Sequence, residues 1–151
     1  MDNLKIREYN SIDKPLLLEI LKLNVPEYFA ESEIDDLDEY LEHKIERYFV
    51  VEIENRIIGA GGINFDDNNK TGKISWDFID PGFQGKGVGQ KLLKYRIDVL
   101  KSMENIERIT VRTSQLAYKF YEKNGFFLKD IIKDYWAQGF DLYDMKYELS
   151  K

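Results

Sequence analysis

Residues Gln84-Gly85-Lys86-Gly87-Val88-Gly89 combine three glycines at alternate positions with one lysine, and the chemistry open to such a turn is anion binding. Gly85, Gly87 and Gly89 leave the backbone N–H groups unshielded. A helix-like run begins at once, so a pyrophosphate would meet both free donors and a helix N-terminus. Two nucleotide patterns are excluded by position. The fingerprint G-x-G-x-x-G, counted from Gly85, requires a glycine where Gln90 stands, and counted from Gly87, one where Leu92 stands. The P-loop pattern fails because Lys86 is followed by Gly87-Val88, which gives magnesium no hydroxyl.

What remains is Gln84-x-x-Gly87-x-Gly89 after Pro81-Gly82-Phe83. That string resembles the acyl-CoA pyrophosphate loop of the GNAT superfamily of N-acyltransferases: Gln or Arg, two residues, Gly, one residue, Gly or Ala. A second string, Ser114-Gln-Leu-Ala117-Tyr118-Lys-Phe-Tyr121-Glu-Lys123-Asn-Gly125-Phe126, is similar to the family's segment from an Asn through Ala and a Phe-Tyr pair to Lys-x-Gly-Phe. The resemblance covers roughly Leu4 to Leu149 and is specific from Trp76 to Phe126. It implies one N-acetyltransferase domain over residues 1–151 with acetyl-CoA as co-substrate and no metal. The acetyl group would pass to a primary amine by direct attack in a ternary complex. The alternatives are a CoA-binding sensor without turnover and an acidic protein-interaction module.

Acyl transfer from a thioester needs a neutral amine, a site for the oxyanion and a proton for the departing thiolate. A lysine-like ammonium of pKa ~10.4 gives up its proton at pH 7 at a cost of roughly 4.6 kcal/mol, so a base or a water chain is useful. Asp77 is the candidate base, seven residues before Gln84, on the expected strand face of Ser75 and Lys73, where the family often carries a glutamate. With those two positions occupied by Ser and Lys, Asp77 could instead pair with the acceptor's ammonium, or the proton could leave through water. The resemblance makes Tyr121 the candidate acid, since a phenol of pKa ~10 is close enough to a thiol of ~8.5 to protonate the thiolate. The backbone of Phe78 and Ile79 is expected to meet the thioester carbonyl and pantetheine, which would add like an extra strand. Residues Gln84 to Gln90 would hold the pyrophosphate, with Lys86 adding positive charge. Ser114 replaces the usual Asn, so its hydrogen bond toward pantetheine is expected to be weaker or water-mediated. The resemblance implies Tyr28, Phe29, Tyr135 and Trp136 as acceptor walls; the alternative for these aromatics is a hydrophobic plug or a homodimer contact.

The elements that must hold these residues follow from periodicity. Leu4 to Tyr9 alternates as a strand. A helix follows, capped by Ser11 or Asp13, with Pro15 in its first turn and Leu16, Leu17, Ile20 and Leu21 on one face. Ser32 with Asp35 resembles a capping box for a second helix bearing Ile34, Leu37, Leu41 and Ile45. Tyr48–Ile53 and Ile57–Phe65 form a hairpin. Lys73–Asp80 alternates, with Ile74, Trp76 and Phe78 on one face and Ser75, Asp77 and Ile79 on the other. A helix from Gly87 to about Lys101 would bury Val88, Leu92, Tyr95 and Val99. Arg108–Thr113, Gln115–Lys123, Phe126–Lys133 and Asp141–Leu149 then read as strand, helix, strand and strand. That order predicts an α/β fold of the GNAT type, a mixed sheet of about six to seven strands with about four helices on both faces.

The 151 residues fit one domain with a substantial core. No apolar run approaches the ~20 residues of a membrane span, and the N-terminus lacks a signal-peptide core, so a cytoplasmic protein is expected. No cysteine and one histidine exclude disulfides, thiolate nucleophiles and the common zinc sets. A net charge of -6 argues against nucleic acid as a partner. Acidic residues crowd between Glu27 and Glu46, either as a solvated helix face or as a field drawing a cationic acceptor. His43, within that stretch, reads as solvated.

Overall fold

A computed structural model describes residues 3–149. Strand β1 (Leu4–Glu8) leads through a 3-10 turn into helix α1 (Lys14–Leu23) and helix α2 (Glu33–His43). Three strands follow, β2 (Arg47–Ile53), β3 (Arg56–Asp66) and β4 (Thr71–Ile79), and then helix α3 (Val88–Lys101). The remaining elements are β5 (Arg108–Thr113), α4 (Tyr118–Lys123), β6 (Phe126–Ala137) and β7 (Phe140–Tyr147). All seven strands join one sheet in the order β1-β2-β3-β4-β5-β7-β6. Only β4 and β5 pair in parallel, which requires a crossover, and α3 supplies it.

Each face of the sheet carries two helices. On one, α3 and α4 bury Leu92, Ile97 and Tyr121 against Phe49, Val51 and Ile63. On the other, α1 and α2 bury Leu17, Leu21 and Leu37 against Tyr48, Val50 and Phe78. The alternation along β2, with Phe49 and Val51 to one side and Tyr48 and Val50 to the other, is the period-2 signature of a strand buried on both faces.

Several local expectations are corrected. Leu17, Ile20 and Leu21 are buried as expected, but Leu16 points out and is 56% exposed. Asp13 stands at the N-cap of α1, as expected, but makes no side-chain cap bond to that helix; the capping box belongs to the preceding 3-10 turn, where Asn10 accepts from the Ile12 amide and Asp13 accepts from the Asn10 amide. Ser32 makes no cap hydrogen bond; the Glu33 carboxylate instead accepts from the Ala30 amide at 2.9 Å. Helix α2 ends at His43, an exposed residue, so Ile45 falls outside it. In α3 the row Val88, Leu92, Arg96, Leu100 faces the sheet, whereas Tyr95 is part-exposed at the edge of Phe49. Helix α4 is shorter than expected because a turn closed on the Ser114 carbonyl precedes it. Strand β6 runs on to Ala137 and pairs with Phe140, so the supposed connection between the last strands is mostly hairpin.

Candidate functional site

The site begins where two paired strands separate. β4 and β5 are hydrogen-bonded only from Thr71↔Arg108 to Ile74↔Val111, after which β4 stays with β3 and β5 with β7. A cleft of about 920 Å³ occupies the gap, a size typical of ligand sites. Trp76, at φ 51°, marks an irregularity in the β3–β4 register between Ala60 and Gly62. A bulged strand changes which face its residues meet. Ile74, Asp77 and Ile79 therefore lie on the α3 side, while Ser75 and Phe78 lie on the α1–α2 side. This corrects the expectation that Asp77 shares a face with Ser75.

At the mouth of the cleft, residues 84–90 join β4 to α3. Gly85 (φ 75°) and Gly87 (φ 82°) are both left-handed, a conformation glycine adopts without strain, and a Cβ at either would meet nothing within 4 Å. The N-terminus of α3 has no side-chain cap, so its first N–H groups remain open to a ligand. Gln84, Gly85, Gly87, Val88, Gly89 and Gln90 line the cleft with Phe78, Ile79 and Ser114. Lys86 does not; its ammonium stands over the Phe83 ring at 5.7 Å and its side chain is exposed. Ser114 uses its hydroxyl oxygen to accept from the Leu116 amide at 3.2 Å.

Asp77 and Tyr121 meet, as the sequence reading requires of two groups in one site. The Tyr121 hydroxyl donates to Asp77 Oδ2 at 2.8 Å. Both carboxylate oxygens of Asp77 also accept from Arg96: Nη2 to Oδ2 at 2.6 Å, and Nη1 to Oδ1. Arg96 is fully buried, and its remaining donors reach the Leu92 and Gly62 carbonyls. Burial pulls its pKa down, but the charge and hydrogen bonds of Asp77 outweigh that and leave it above the ordinary value. Burial, and then the Asp77 charge, hold the Tyr121 phenol well above its usual range.

The opposite wall comes from the segment between α1 and α2. Phe29 stacks on Trp76 at 6.2 Å and 10°, and Tyr28 lines the cleft beside it. Trp136 closes the far side, anchored by its indole N–H to the Thr113 carbonyl at 3.0 Å. Tyr135 is displaced from the expected wall: it is 45% exposed, outside the lining, beneath the Arg112 guanidinium at 4.9 Å. An antiparallel strand alternates its faces, so the neighbour of an inward Trp136 turns outward.

Glu33, Asn24 and Tyr40 line the cleft and were not singled out from sequence. Glu33 is 7% exposed, and among the described residues no lysine or arginine pairs with it; burial foremost raises its pKa. Asn24 donates to the Ile20 and Ile79 carbonyls and accepts from Gln84 at 3.2 Å, tying the end of β4 to the glycine loop. Tyr40 bonds Asn64, and burial pushes its phenol up to about 12. Arg96 had a readable signal, since it is the one polar residue in the row Val88, Leu92, Arg96, Leu100. Asn24 and Glu33 had none, because only tertiary contacts give them a role. Among the described residues there is no cluster of three potential metal ligands and no helix long and apolar enough to cross a membrane.

The Acetyltransferase (GNAT) family profile matches residues 16–126. The spermine/spermidine N(1)-acetyltransferase of Bacillus subtilis (strain 168) is 36% identical over 67 residues, which are 41% of this chain and 44% of that protein. The chain thus spans less than half the length of that curated relative. Among solved structures, a GNAT family acetyltransferase from Elizabethkingia anophelis with acetyl-CoA bound superposes with TM-score 0.76 at 24% identity, over 99% of this chain and 100% of that one. The spermidine N-acetyltransferase from Vibrio cholerae, in complex with CoA and spermine, superposes with TM-score 0.73 at 20% identity, over 97% and 95%. These likenesses carry the fold. The family match, running through both strings of the sequence and across the opened sheet, shows that this chain belongs to the GNAT acetyltransferase family.

Proposed function

We propose that the chain is a single-domain N-acetyltransferase that moves an acetyl group from acetyl-CoA to a primary amine by direct attack in a ternary complex. One observation carries the reading: β4 and β5 part beside a glycine loop whose helix start is open. The parted strands leave backbone amides able to pair with the extended, amide-bearing arm of CoA, as a sheet edge pairs with a peptide. The glycine loop offers N–H groups to its pyrophosphate. Acetyl-CoA supplies the thioester; the protein supplies position, hydrogen bonds and a proton path.

Tyr121 and Asp77 form the catalytic pair in this reading. The raised phenol keeps its proton at neutral pH but is a weaker acid than a free phenol, and its hydrogen points to Asp77, so donation to a developing thiolate would require that hydrogen to turn from Asp77 into the cleft. Asp77 is committed to Arg96 and Tyr121, which favours a water path for the amine's proton over direct uptake by that carboxylate. A cationic acceptor fits Glu33, a buried carboxylate without a countercharge beside aromatic walls, since such a group gains from a bound ammonium. Relatives named for spermine and spermidine support the same class. The proposal keeps a cytoplasmic location and a homodimer, the latter through the exposed Tyr135 edge.

The test is calorimetry with CoA and acetyl-CoA, followed by a thiol-release assay with an amine panel. Binding with turnover of cationic amines is the expected result. Binding without thiol release from any amine would make the protein a CoA sensor, and absence of binding would remove the reading altogether.

A further inference from the structure

Arg96 is the largest of the fully buried side chains, and it lies in the helix that follows the glycine loop. A buried guanidinium is costly unless its donors are met, and here they are met by only two kinds of partner. Leu92 and Gly62 offer backbone carbonyls. Asp77 offers both carboxylate oxygens in the planar, two-bond match that a guanidinium makes and an ammonium does not. The strand had to be bent to allow this: only beyond the irregularity at Trp76 does Asp77 turn to the α3 side. Room also had to be left. A Cβ at Gly61 would stand 2.8 Å from Arg96 Nη1 and 2.9 Å from Asp77 Oδ1.

The carboxylate so held is 18% exposed, toward the cleft, and its Oδ2 receives the Tyr121 hydroxyl. A free carboxylate would rotate about its side chain and take the phenol's hydrogen-bond partner with it. A carboxylate clamped at both oxygens cannot, so the hydroxyl inherits a fixed partner. We propose that Arg96 is a positioning residue for acetyl transfer: it clamps Asp77, and Asp77 in turn fixes where the Tyr121 hydroxyl stands on the cleft wall. Arg96 is fully buried and does not line the cleft, so its effect on the reaction would pass through Asp77 and Tyr121. This rests on the acetyltransferase reading of the cleft.

The experiment is a double-mutant cycle joined to a measurement on the ligand-free protein. Arg96→Lys keeps the charge but loses the planar two-bond match. It should lower kcat about tenfold while leaving acetyl-CoA affinity by calorimetry within about twofold, and should have no further effect on kcat when Tyr121 is already Phe. In protein labelled at the tyrosine ring carbon bearing oxygen, Arg96→Lys should shift the Tyr121 resonance, assigned by its loss in Tyr121→Phe, and leave that of Tyr118 in place. An equal rate loss in both backgrounds, or an unmoved Tyr121 resonance with a lowered Tm, would make Arg96 a packing residue and overturn the proposal. Should Arg96→Lys fail to fold, Arg96→Gln, which keeps a planar donor but loses the charge and the two-bond fork, carries the same cycle: it must move the Tyr121 resonance and lose its effect on kcat in Tyr121→Phe, and failure on either count overturns the proposal. A wild-type protein that binds acetyl-CoA yet acetylates no amine would defeat the acetyltransferase reading, while the resonance would still report on Arg96.

Discussion

The two ends of the cleft are made of different material. The end assigned to acetyl-CoA is largely backbone: a glycine loop in left-handed conformation, an uncapped helix start and two strands with unpaired amides. The end assigned to the acceptor is side chains: Phe29 on Trp76, Trp136 anchored on Thr113, and Glu33, which pairs with no lysine or arginine among the described residues. Backbone recognition tolerates almost any sequence that permits the conformation, so one donor can serve a whole family. Side-chain recognition is respecified by a single substitution, and the acceptor can change while the donor stays.

The sharpest way to break this contrast is at Gly87. Gly87→Asp places a negative charge at the expected pyrophosphate position, where space is open and where Asp tolerates a left-handed φ. Acetyl-CoA binding by calorimetry should vanish while the melting curve stays within a few degrees. Gly87→Asn, similar in shape but neutral, should bind more weakly than wild type and better than Gly87→Asp; equal loss in both would mean that shape and not charge decides.

At the boundary between the two ends, Tyr121→Phe should lower kcat by ~10²- to 10⁴-fold with little change in acetyl-CoA affinity. Wild-type turnover by that variant would remove the hydroxyl from the reaction. On the acceptor side, Glu33→Gln should reduce kcat/KM for diamines and polyamines about tenfold more than for a monoamine, with acetyl-CoA binding untouched. Identical losses for both acceptors would deny Glu33 a part in recognising charge.

The smallest effect is alkaline. Tyr40 and Tyr48 on the acceptor side and Tyr121 on the other all have phenols raised by burial. The folded protein then keeps protons that the unfolded chain releases above pH ~10, so their stabilisation is whole below that pH and declines as pH rises through the folded pKa. Urea midpoints between pH 8 and 11 should fall at the top of the range, and less steeply in Tyr48→Phe or Tyr121→Phe than in wild type.

The same contrast governs how much could be read from the sequence. Gly85, Gly87 and Gly89 announce a backbone conformation by their type alone, and the Phe-Tyr pair before Asn124-Gly125 announces a helix end with Tyr121 near it. Strand alternation located Asp77 but misjudged its face, because a bulge shifts the count by one and Trp76 gives no local sign of adopting φ 51°. The helix period located Val88 and Leu92 but chose Tyr95 over Arg96, because Tyr95 is the more apolar neighbour and only the i+4 row Val88, Leu92, Leu100 pointed to position 96. Glu33 and Asn24 look like any polar residues near helix ends. Their meaning lies in what the α1–α2 segment is folded against.

Gly61 adds a constraint of a historical kind. With Cβ distances of 2.8–2.9 Å to the Arg96–Asp77 pair, an alanine at 61 would force the ends of these two side chains to shift. An ancestor with a side chain there would have held Arg96 and Asp77 in a shifted geometry until position 61 was trimmed. The order of the steps then matters, since a glycine in place first allows the two-bond match at once while charges in place first reach it only after the trimming, so that this strand position weights how the site can drift.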